Sequence, residues 1–209
     1  NNLAYVYSSQ GKYKEAESLY KKGLKIRERL LGENHLYTAR SYNNLAEVYE
    51  NQGKYKEAEN LYKKGLEIRE KILGENHSDT ASSYNNLGLL YASQGKYKEA
   101  ESLYRKGLEI CEKILGENHP NTAISYNNLG GVYAGQGKYK EAESLYEKGL
   151  EIRKKMLGEN HPDIAISYNN LGGVYVRQER YKEAENLYEK GIEINKKILG
   201  ENHPDIAIS

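Results

Sequence analysis

QGKYKEAE, the string at residues 94–101, decides the fold because it recurs along the chain at a fixed step of 42 residues. The same string begins at Gln10, Gln52, Gln94 and Gln136, and the variant QERYKEAE begins at Gln178. A second string, GENH, follows the same step and begins at Gly32, Gly74, Gly116, Gly158 and Gly200. The chain is therefore one structural unit copied several times, and not a set of different domains.

Each copy contains two segments with helical periodicity. Thr38, Tyr42 and Leu45 are spaced four and three residues apart, so they lie on one face of a first helix. A second segment, residues 55–73, repeats this spacing, and its opposite face carries Glu and Lys pairs four residues apart. Gly74 follows that segment and is predicted to end the second helix, because glycine accepts a positive φ. The sequence thus predicts helix pairs joined by short turns.

The composition limits the classes of partner. The 209 residues have a mean hydropathy of −0.89, with 31 basic and 30 acidic side chains and a formal net charge of +1. This balance gives no overall field to attract nucleic acid or an anionic membrane, and no apolar run approaches the roughly 18 residues of a transmembrane helix. A single cysteine cannot form an internal disulfide, which favours a cytoplasmic location. We therefore expect no nucleic-acid partner and no membrane partner.

One stretch of the repeat carries a family resemblance. Residues 84–91 have the pattern Y-x2-L-G-x2-Y, and Ala100 and Tyr104 follow. The pattern resembles the tetratricopeptide repeat, W-x2-L-G-x2-Y followed by A-x3-F, with tyrosine in place of tryptophan and phenylalanine. The period is longer than the family's about 34 residues, and the linkers resemble those of kinesin light chains. The resemblance implies an all-α fold, a right-handed α-solenoid superhelix of stacked antiparallel helix pairs, which binds peptides or proteins and has no catalytic chemistry.

The repeat positions predict one solenoid fragment over residues 1–209. We expect the repeats at residues 1–36 (partial), 37–78, 79–120, 121–162 and 163–203, with the start of a further first helix at residues 204–209. The chain begins and stops inside a first helix, and neither end has a polar capping helix. We therefore expect the uncapped ends to permit head-to-tail self-association.

Candidate metal and catalytic residues do not converge. The five histidines, His35 and His77 among them, belong to five different repeats, and neighbouring repeats lie about 10 Å apart, too far to share a metal ion. We expect each histidine to satisfy free amides at the start of the next first helix. Cys111 replaces an arginine of other repeats, which predicts an exposed position, and no histidine accompanies it as a base. The sequence predicts no enzyme activity, no metal site and no cofactor.

Paired asparagines in the first helices are the most informative polar residues. Asparagine is a poor residue for the middle of a helix, so each pair needs a compensating interaction. In the family fold the first helices line a concave groove, where amides match the main chain of a bound segment. The alternative is that one asparagine of each pair bonds to the adjacent repeat. The candidate ligand-binding residues are Asn43 and Asn44, Asn85 and Asn86, Asn127 and Asn128, and Asn169 and Asn170. We expect the first of each pair, more than the second, to face the ligand.

Other positions predicted to face the groove vary between repeats. One position is occupied in turn by Glu47, Leu89, Gly131 and Gly173, and a further candidate is Arg177. Few basic residues are available, so the groove does not resemble the carboxylate clamp that members of this family use for chaperone tails. The acidic second repeat and the small or apolar later repeats favour a partner with a basic end and an apolar middle. The two glycines leave bare backbone, which favours a contact surface.

These features predict a protein-protein interaction scaffold that binds a peptide or protein segment in an asparagine-lined concave groove. The sequence leaves one alternative open, a structural spacer or self-assembling repeat array without a dedicated ligand. Double substitution of Asn85 and Asn127 by alanine discriminates between the two, because a groove binder loses its partner while it stays folded, whereas a spacer loses nothing or loses stability.

Overall fold

Helices account for nearly all of the chain. The computed structural model describes residues 2–200, and within them it contains ten α-helices and no strand. The helices are α1 Asn2–Ser9, α2 Tyr13–Leu31, α3 Leu36–Asn51, α4 Tyr55–Leu73, α5 Ser78–Ser93, α6 Tyr97–Leu115, α7 Pro120–Gly135, α8 Tyr139–Leu157, α9 Pro162–Arg177 and α10 Tyr181–Leu199. The odd-numbered helices are the first helices of the predicted pairs. The all-α prediction is confirmed, and the helix start predicted at residues 204–209 lies outside the described residues.

The chain divides into two compact units, Asn1–Ile110 and Cys111–Ser209. In the first unit each helix from α1 to α5 packs against the next. In the second unit α7 packs on α8, α8 on α9 and α9 on α10, and the first helices α7 and α9 also touch directly. Within residues 2–200, no helix combines the length and the apolar composition that crossing a bilayer requires.

First helices begin at a histidine cap. Nδ1 of His77 accepts a hydrogen bond from the backbone N–H of Asp79 at 3.1 Å, which satisfies one of the amides left free at a helix start. The same cap is made by His35, His119 and His161. The predicted capping role is therefore confirmed for these four histidines, and His203 lies outside the described residues.

Three second helices, α2, α4 and α6, end at a glycine whose carbonyl is bound by the following helix. Gly74 has a φ of 83°, and its N–H donates to the carbonyl of Glu70 at 3.0 Å, as expected for a residue that must leave the right-handed helix. Oγ1 of Thr80 in α5 then donates to the Gly74 carbonyl at 2.9 Å. Thr38 with Gly32 and Thr122 with Gly116 form the same bond. The glycine in each of these loops is therefore hydrogen-bonded both to the helix before it and to the helix after it.

The turn inside the last helix pair lacks its glycine. Gly137 has a φ of 75°, whereas Glu179 occupies the same place in the last repeat with a φ of 62°. No other non-glycine residue of the described range has a positive φ. The adjacent Arg180 holds this turn through side-chain contacts, since its guanidinium lies 3.8 Å from the ring centroid of Tyr175 and donates to Glu143 at 2.7 Å.

The core of each unit is a thin layer rich in tyrosine. Buried residues of the first unit include Tyr20, Tyr42, Leu45, Val48 and Ile68, and those of the second unit include Leu150, Ile164, Tyr168 and Ile194. Each buried Leu, Ile or Val contributes about 1.5–3 kcal/mol. The hydroxyl of Tyr42 reaches the rim of the layer and donates to Glu28 at 2.8 Å. Burial, together with this bond, raises the pKa of Tyr42. Tyrosine can therefore serve as the core aromatic because its polar end meets a carboxylate.

A polar contact joins each second helix to the next first helix. Arg153 of α8 is 9% exposed, and it donates to Oγ of Ser167 at 2.7 Å and to the carbonyl of Asp163 at 3.2 Å. Arg69 donates in the same way to Ser83 and Asp79. The expectation that Cys111, at the same repeat position, is exposed is wrong, because Cys111 is 3% exposed and Oγ of Ser125 donates to its Sγ at 3.7 Å. The prediction failed because arginine, which occupies this position in other repeats, is usually exposed. Here the guanidinium groups of Arg69 and Arg153 instead contact the next first helix.

Candidate functional site

The first helices leave a narrow stripe of positions open to solvent. On α7, Ile124 and Gly131 are exposed, whereas Ser125 and Leu129 are buried. Residues seven apart lie on the same face of a helix, so these positions form one line. The equivalent positions are Arg40 and Glu47 on α3 and Ser82 and Leu89 on α5 in the first unit, and Ile124 and Gly131 on α7 and Ile166 and Gly173 on α9 in the second unit. We refer to these positions, taken within each unit, as the first-helix stripe.

The first asparagine of a pair contacts the second helix of its own repeat. Asn43 of α3 is buried, and a Cβ added to Gly65 of α4 would collide with its Oδ1. Two further pairs have the same arrangement, with Asn85 Oδ1 at 2.7 Å from the Cβ position of Gly107 and Asn169 Oδ1 at 2.9 Å from that of Gly191. The buried Oδ1 atoms of Asn43 and Asn85 accept no hydrogen bond from the described part of the chain. These residues have a packing role, and their contact with a ligand stays a prediction.

Asn127 departs from this arrangement. Its Oδ1 accepts a hydrogen bond of 2.9 Å from Nδ2 of Asn170, the second asparagine of the following repeat. This is the cross-repeat bond that the sequence left open as the alternative to ligand binding. The second asparagines are half-buried beside the stripe, at Asn44, Asn86, Asn128 and Asn170. Of these four, only Asn170 forms a side-chain hydrogen bond to another residue in the range 2–200.

The variable position of the stripe changes character along the chain. Glu47 is exposed on α3, and Leu89 on α5 is 55% exposed. Gly131 on α7 is exposed and Gly173 on α9 is half-buried. Arg177 is exposed at the last residue of α9. A charged or bulky side chain therefore marks this position in the first unit, and bare backbone marks it in the second.

In the first unit a tyrosine of the second helix is paired with an acidic residue near the stripe. Oη of Tyr62 on α4 donates to Oε2 of Glu50 on α3 at 3.1 Å. Burial raises the pKa of Glu50, the bond from Tyr62 lowers it in part, and the charge of Glu47 raises it. Burial and the neighbouring Glu50 also raise the pKa of Tyr62. The hydroxyl of Tyr62 is therefore satisfied within the protein.

Tyr146 occupies the same repeat position in the second unit, with different neighbours. Its ring carbons lie 3.0 Å from the Cβ position of Gly130, so α7 and α8 pack closely there, and its Oη lies 3.4 Å from the Cβ position of Gly131. Ala134 stands where Glu50 stands in α3. Burial raises the pKa of Tyr146 to about 12, so the phenol is neutral at physiological pH. Sequence reasoning missed Tyr146, although the loss of the Glu50 carboxylate at Ala134 was a visible signal.

The described range contains no cluster of metal-binding side chains. No group of three or more His, Cys, Asp or Glu side chains between residues 2 and 200 is placed to hold a metal ion. Burial raises the pKa of the Cys111 thiol, which keeps it protonated and unreactive at neutral pH. The amides and hydroxyls near the stripe can exchange hydrogen bonds with a bound chain.

Family models and solved structures identify the type of repeat from which the chain is built. Models described as tetratricopeptide repeat match residues 1–71, 39–113 and 79–155, and a second such model matches residues 164–205. No curated protein matches the sequence. Proteins built from this repeat are generally interaction scaffolds without catalytic activity.

The solved structures most useful for comparison are also built from such repeats. BtubC (BKLC) from P. vanneervenii is similar with a TM-score of 0.82 and 28% identity, over 97% of this chain and 80% of that one. A kinesin light chain-like protein of P. anserina with nearly identical TPR-like repeats is similar with a TM-score of 0.78 and 28% identity, over 94% and 93% of the two chains. The apo form of RapI shares the fold alone, with a TM-score of 0.77 and 20% identity, over 98% and 54%. The chain therefore belongs to the tetratricopeptide repeat family and is of its kinesin light chain-like type.

Proposed function

We propose that this chain is a scaffold that binds protein segments along the first-helix stripe of each unit. The observation that carries the proposal is the set of half-buried amides beside the stripe that bond to no other residue in the range 2–200: Asn44, Asn86 and Asn128. Each amide offers two donors and one acceptor, which match the carbonyl and N–H groups of a bound main chain. Each asparagine in the middle of a helix destabilises that helix by about 0.5 kcal/mol relative to alanine. A hydrogen bond to a partner would explain why these asparagines are present.

The charges of the stripe support a partner of mixed character. At α3 of the first unit the two acidic residues Glu47 and Glu50 outnumber the one basic residue Arg40, which favours basic residues of a partner there. Ile124 and Ile166 favour apolar residues at the second unit. We therefore propose that a partner presents basic residues to the first unit and apolar residues to the second unit. The single buried cysteine, which needs no oxidising environment, supports a cytoplasmic setting for this interaction.

A peptide selection tests this function. The probe is a phage library of random twelve-residue peptides, panned on the full chain, and the enriched peptides are synthesised and their Kd values measured by calorimetry. The double variant Asn86→Ala with Asn128→Ala is expected to weaken binding at least ten-fold and to keep the helical circular dichroism of the parent. The matched control replaces Lys71 and Lys113, which are exposed on second helices, and should leave Kd unchanged. Enrichment of no peptide, or equal binding to the double variant, would overturn the proposal.

A second candidate function is a structural spacer or self-assembling array, and the hydrogen bond between Asn127 and Asn170 favours it. If the amides serve only contacts between repeats, Asn170→Ala lowers the melting temperature while no peptide is enriched in the selection. Light scattering at several concentrations then separates the two forms of this candidate. A spacer keeps the mass of one chain, and an array grows with concentration.

A further inference from the structure

The hydroxyl of Tyr146 is a polar group aimed at the first-helix stripe without a partner in the protein. The side chain of Tyr146 is 7% exposed, so its ring is buried beneath α7. Its Oη lies 3.4 Å from the place where Gly131 would carry a Cβ. Within residues 2–200 this hydroxyl forms no hydrogen bond. The gap left by the missing side chain of Gly131 is therefore the opening through which a bound molecule could reach the hydroxyl.

Tyr62, at the same repeat position in α4, shows what a satisfied hydroxyl looks like. Tyr62 donates to Glu50 at 3.1 Å, and Glu47 supplies a side chain at the position of Gly131. In the second unit both of these acidic residues are replaced, by Ala134 and Gly131. The same ring is thus retained as a core residue in both units, while the internal acceptor for its hydroxyl is absent among the described residues of the second unit.

The surroundings of Tyr146 indicate the chemistry of an occupant. The helix α7, PNTAISYNNLGGVYAG, contains no charged residue. Ile124 on the same face is 45% exposed, and Ile166 at the matching position of α9 is 51% exposed. A charged group placed on α7 would lose water without meeting an opposite charge, which is unfavourable. An uncharged, apolar segment loses little by leaving water there and gains apolar contact with the isoleucines.

The main chain of such a segment is the group that can use the hydroxyl. Glycine at position 131 removes the side chain that would otherwise hold a ligand away from the helix. A neutral phenol donates one hydrogen bond, and a backbone carbonyl is the acceptor that every extended segment carries. The same geometry recurs in the next repeat, where Oη of Tyr188 lies 3.8 Å from the Cβ position of Gly173.

We propose that Tyr146 and the bare backbone at Gly131 form a main-chain contact point for an uncharged, apolar segment of a partner protein, with Ile124 and Ile166 receiving its side chains. This inference rests on the proposed scaffold function and narrows the partner chemistry at the second unit. Tyr146 is a binding residue in this scheme because it touches the partner directly. A hydrogen bond of this kind accounts for about a three- to ten-fold change in Kd.

The test uses the full chain and the peptides enriched from the twelve-residue phage library. Peptides that depend on the second unit are expected to be depleted in Asp, Glu, Lys and Arg at the contacting residues. Tyr146→Phe, which removes only the hydroxyl, should weaken their Kd by about three- to ten-fold. Gly131→Leu, which fills the opening, should weaken it at least ten-fold. Leucine is compatible with folding at this position, since Leu89 occupies it in α5.

Tyr62→Phe is the matched control for the hydroxyl. Because the hydroxyl of Tyr62 is already bound by Glu50, its removal should leave the Kd of those peptides unchanged, and circular dichroism should show the parent fold for all three variants. Peptides that lose binding to the Asn86 and Asn128 double variant but bind equally to Tyr146→Phe and Gly131→Leu would overturn this inference and leave the scaffold function standing. Enrichment of no peptide would overturn both.

Discussion

The helices α3 and α7 occupy the same place in two copies of one repeat, yet they present different surfaces. Both bury a tyrosine and a leucine in the core, Tyr42 with Leu45 and Tyr126 with Leu129. Their exposed faces differ, with Arg40 and Glu47 on α3 against Ile124 and Gly131 on α7. The comparison teaches that the copies keep the residues that pack helices together and change the residues that meet solvent. A surface that differs this way is the part of the repeat free to take on binding specificity.

The largest expected effect contrasts a glycine of the packing layer with a glycine of the stripe. Gly65→Ala should lower the free energy of unfolding by about 1–3 kcal/mol, because the new Cβ meets Oδ1 of Asn43 and lies 3.2 Å from the carbonyl of Ala39. Gly131→Ala should raise it by about 0.5–1 kcal/mol, since that Cβ meets only Tyr146 Oη at an ordinary 3.4 Å. Urea unfolding followed by circular dichroism measures both. Equal effects of the two substitutions would show that the two glycines do not differ as described.

A smaller effect on stability is expected at the contact between a second helix and the next first helix, where Arg69 of the first unit corresponds to Cys111 of the second unit. Arg69→Ala should lower the free energy of unfolding by about 1–2 kcal/mol, because Ser83 and the carbonyl of Asp79 lose their charged donor. Cys111→Ala should lower it by about 1 kcal/mol or less, because it removes one long, weak bond from Ser125. The same urea experiment ranks the two variants. A Cys111 variant less stable than the Arg69 variant would contradict this ranking.

The smallest effect concerns the pH dependence contributed by Glu50, which the second unit lacks. Burial raises the pKa of Glu50 above its ordinary value of 4.5 in the folded protein. The folded state therefore holds this proton more tightly than the unfolded state, and Glu50 contributes stability at low pH that is lost as pH rises through the raised pKa. Glu50→Gln keeps an acceptor for Tyr62 but cannot ionise, so the stability difference between parent and variant should shift against the parent as pH rises from 4.5. A difference that stays level across this range would contradict the raised pKa.

The regular parts of the fold could be predicted from the sequence because they depend on local chemistry. The recurrence of QGKYKEAE can be read directly from the sequence. Gly74 and His77 form their hydrogen bonds with residues close to them in the chain, Glu70 and Asp79. A helix end or a cap needs only a few consecutive residues, so it is visible in the string itself.

The site was harder to predict because its residues come from neighbouring helices. The burial of Cys111 depends on Ser125 of the next helix, and the contact of Asn43 depends on Gly65 of its partner helix. By residue type alone, a charged or amide side chain is expected to be exposed. Such a side chain is buried instead when it reaches a hydrogen-bond partner on a neighbouring helix, which residue type does not reveal. From the sequence, the bond between Asn127 and Asn170 could be predicted only as one of two possible roles of the asparagines, the other being contact with a ligand.

The joint in which Thr80 binds the carbonyl of Gly74, and Arg69 binds Ser83, is made by residues at most fourteen positions apart. Because the threonine bond of this joint recurs at Thr38 and Thr122, cutting out or duplicating one such period in the gene would bring together two edges that already fit. Recombination between the DNA segments that encode these near-identical protein repeats could therefore lengthen or shorten the array without a new interface, and it would change the number of binding positions at the same time.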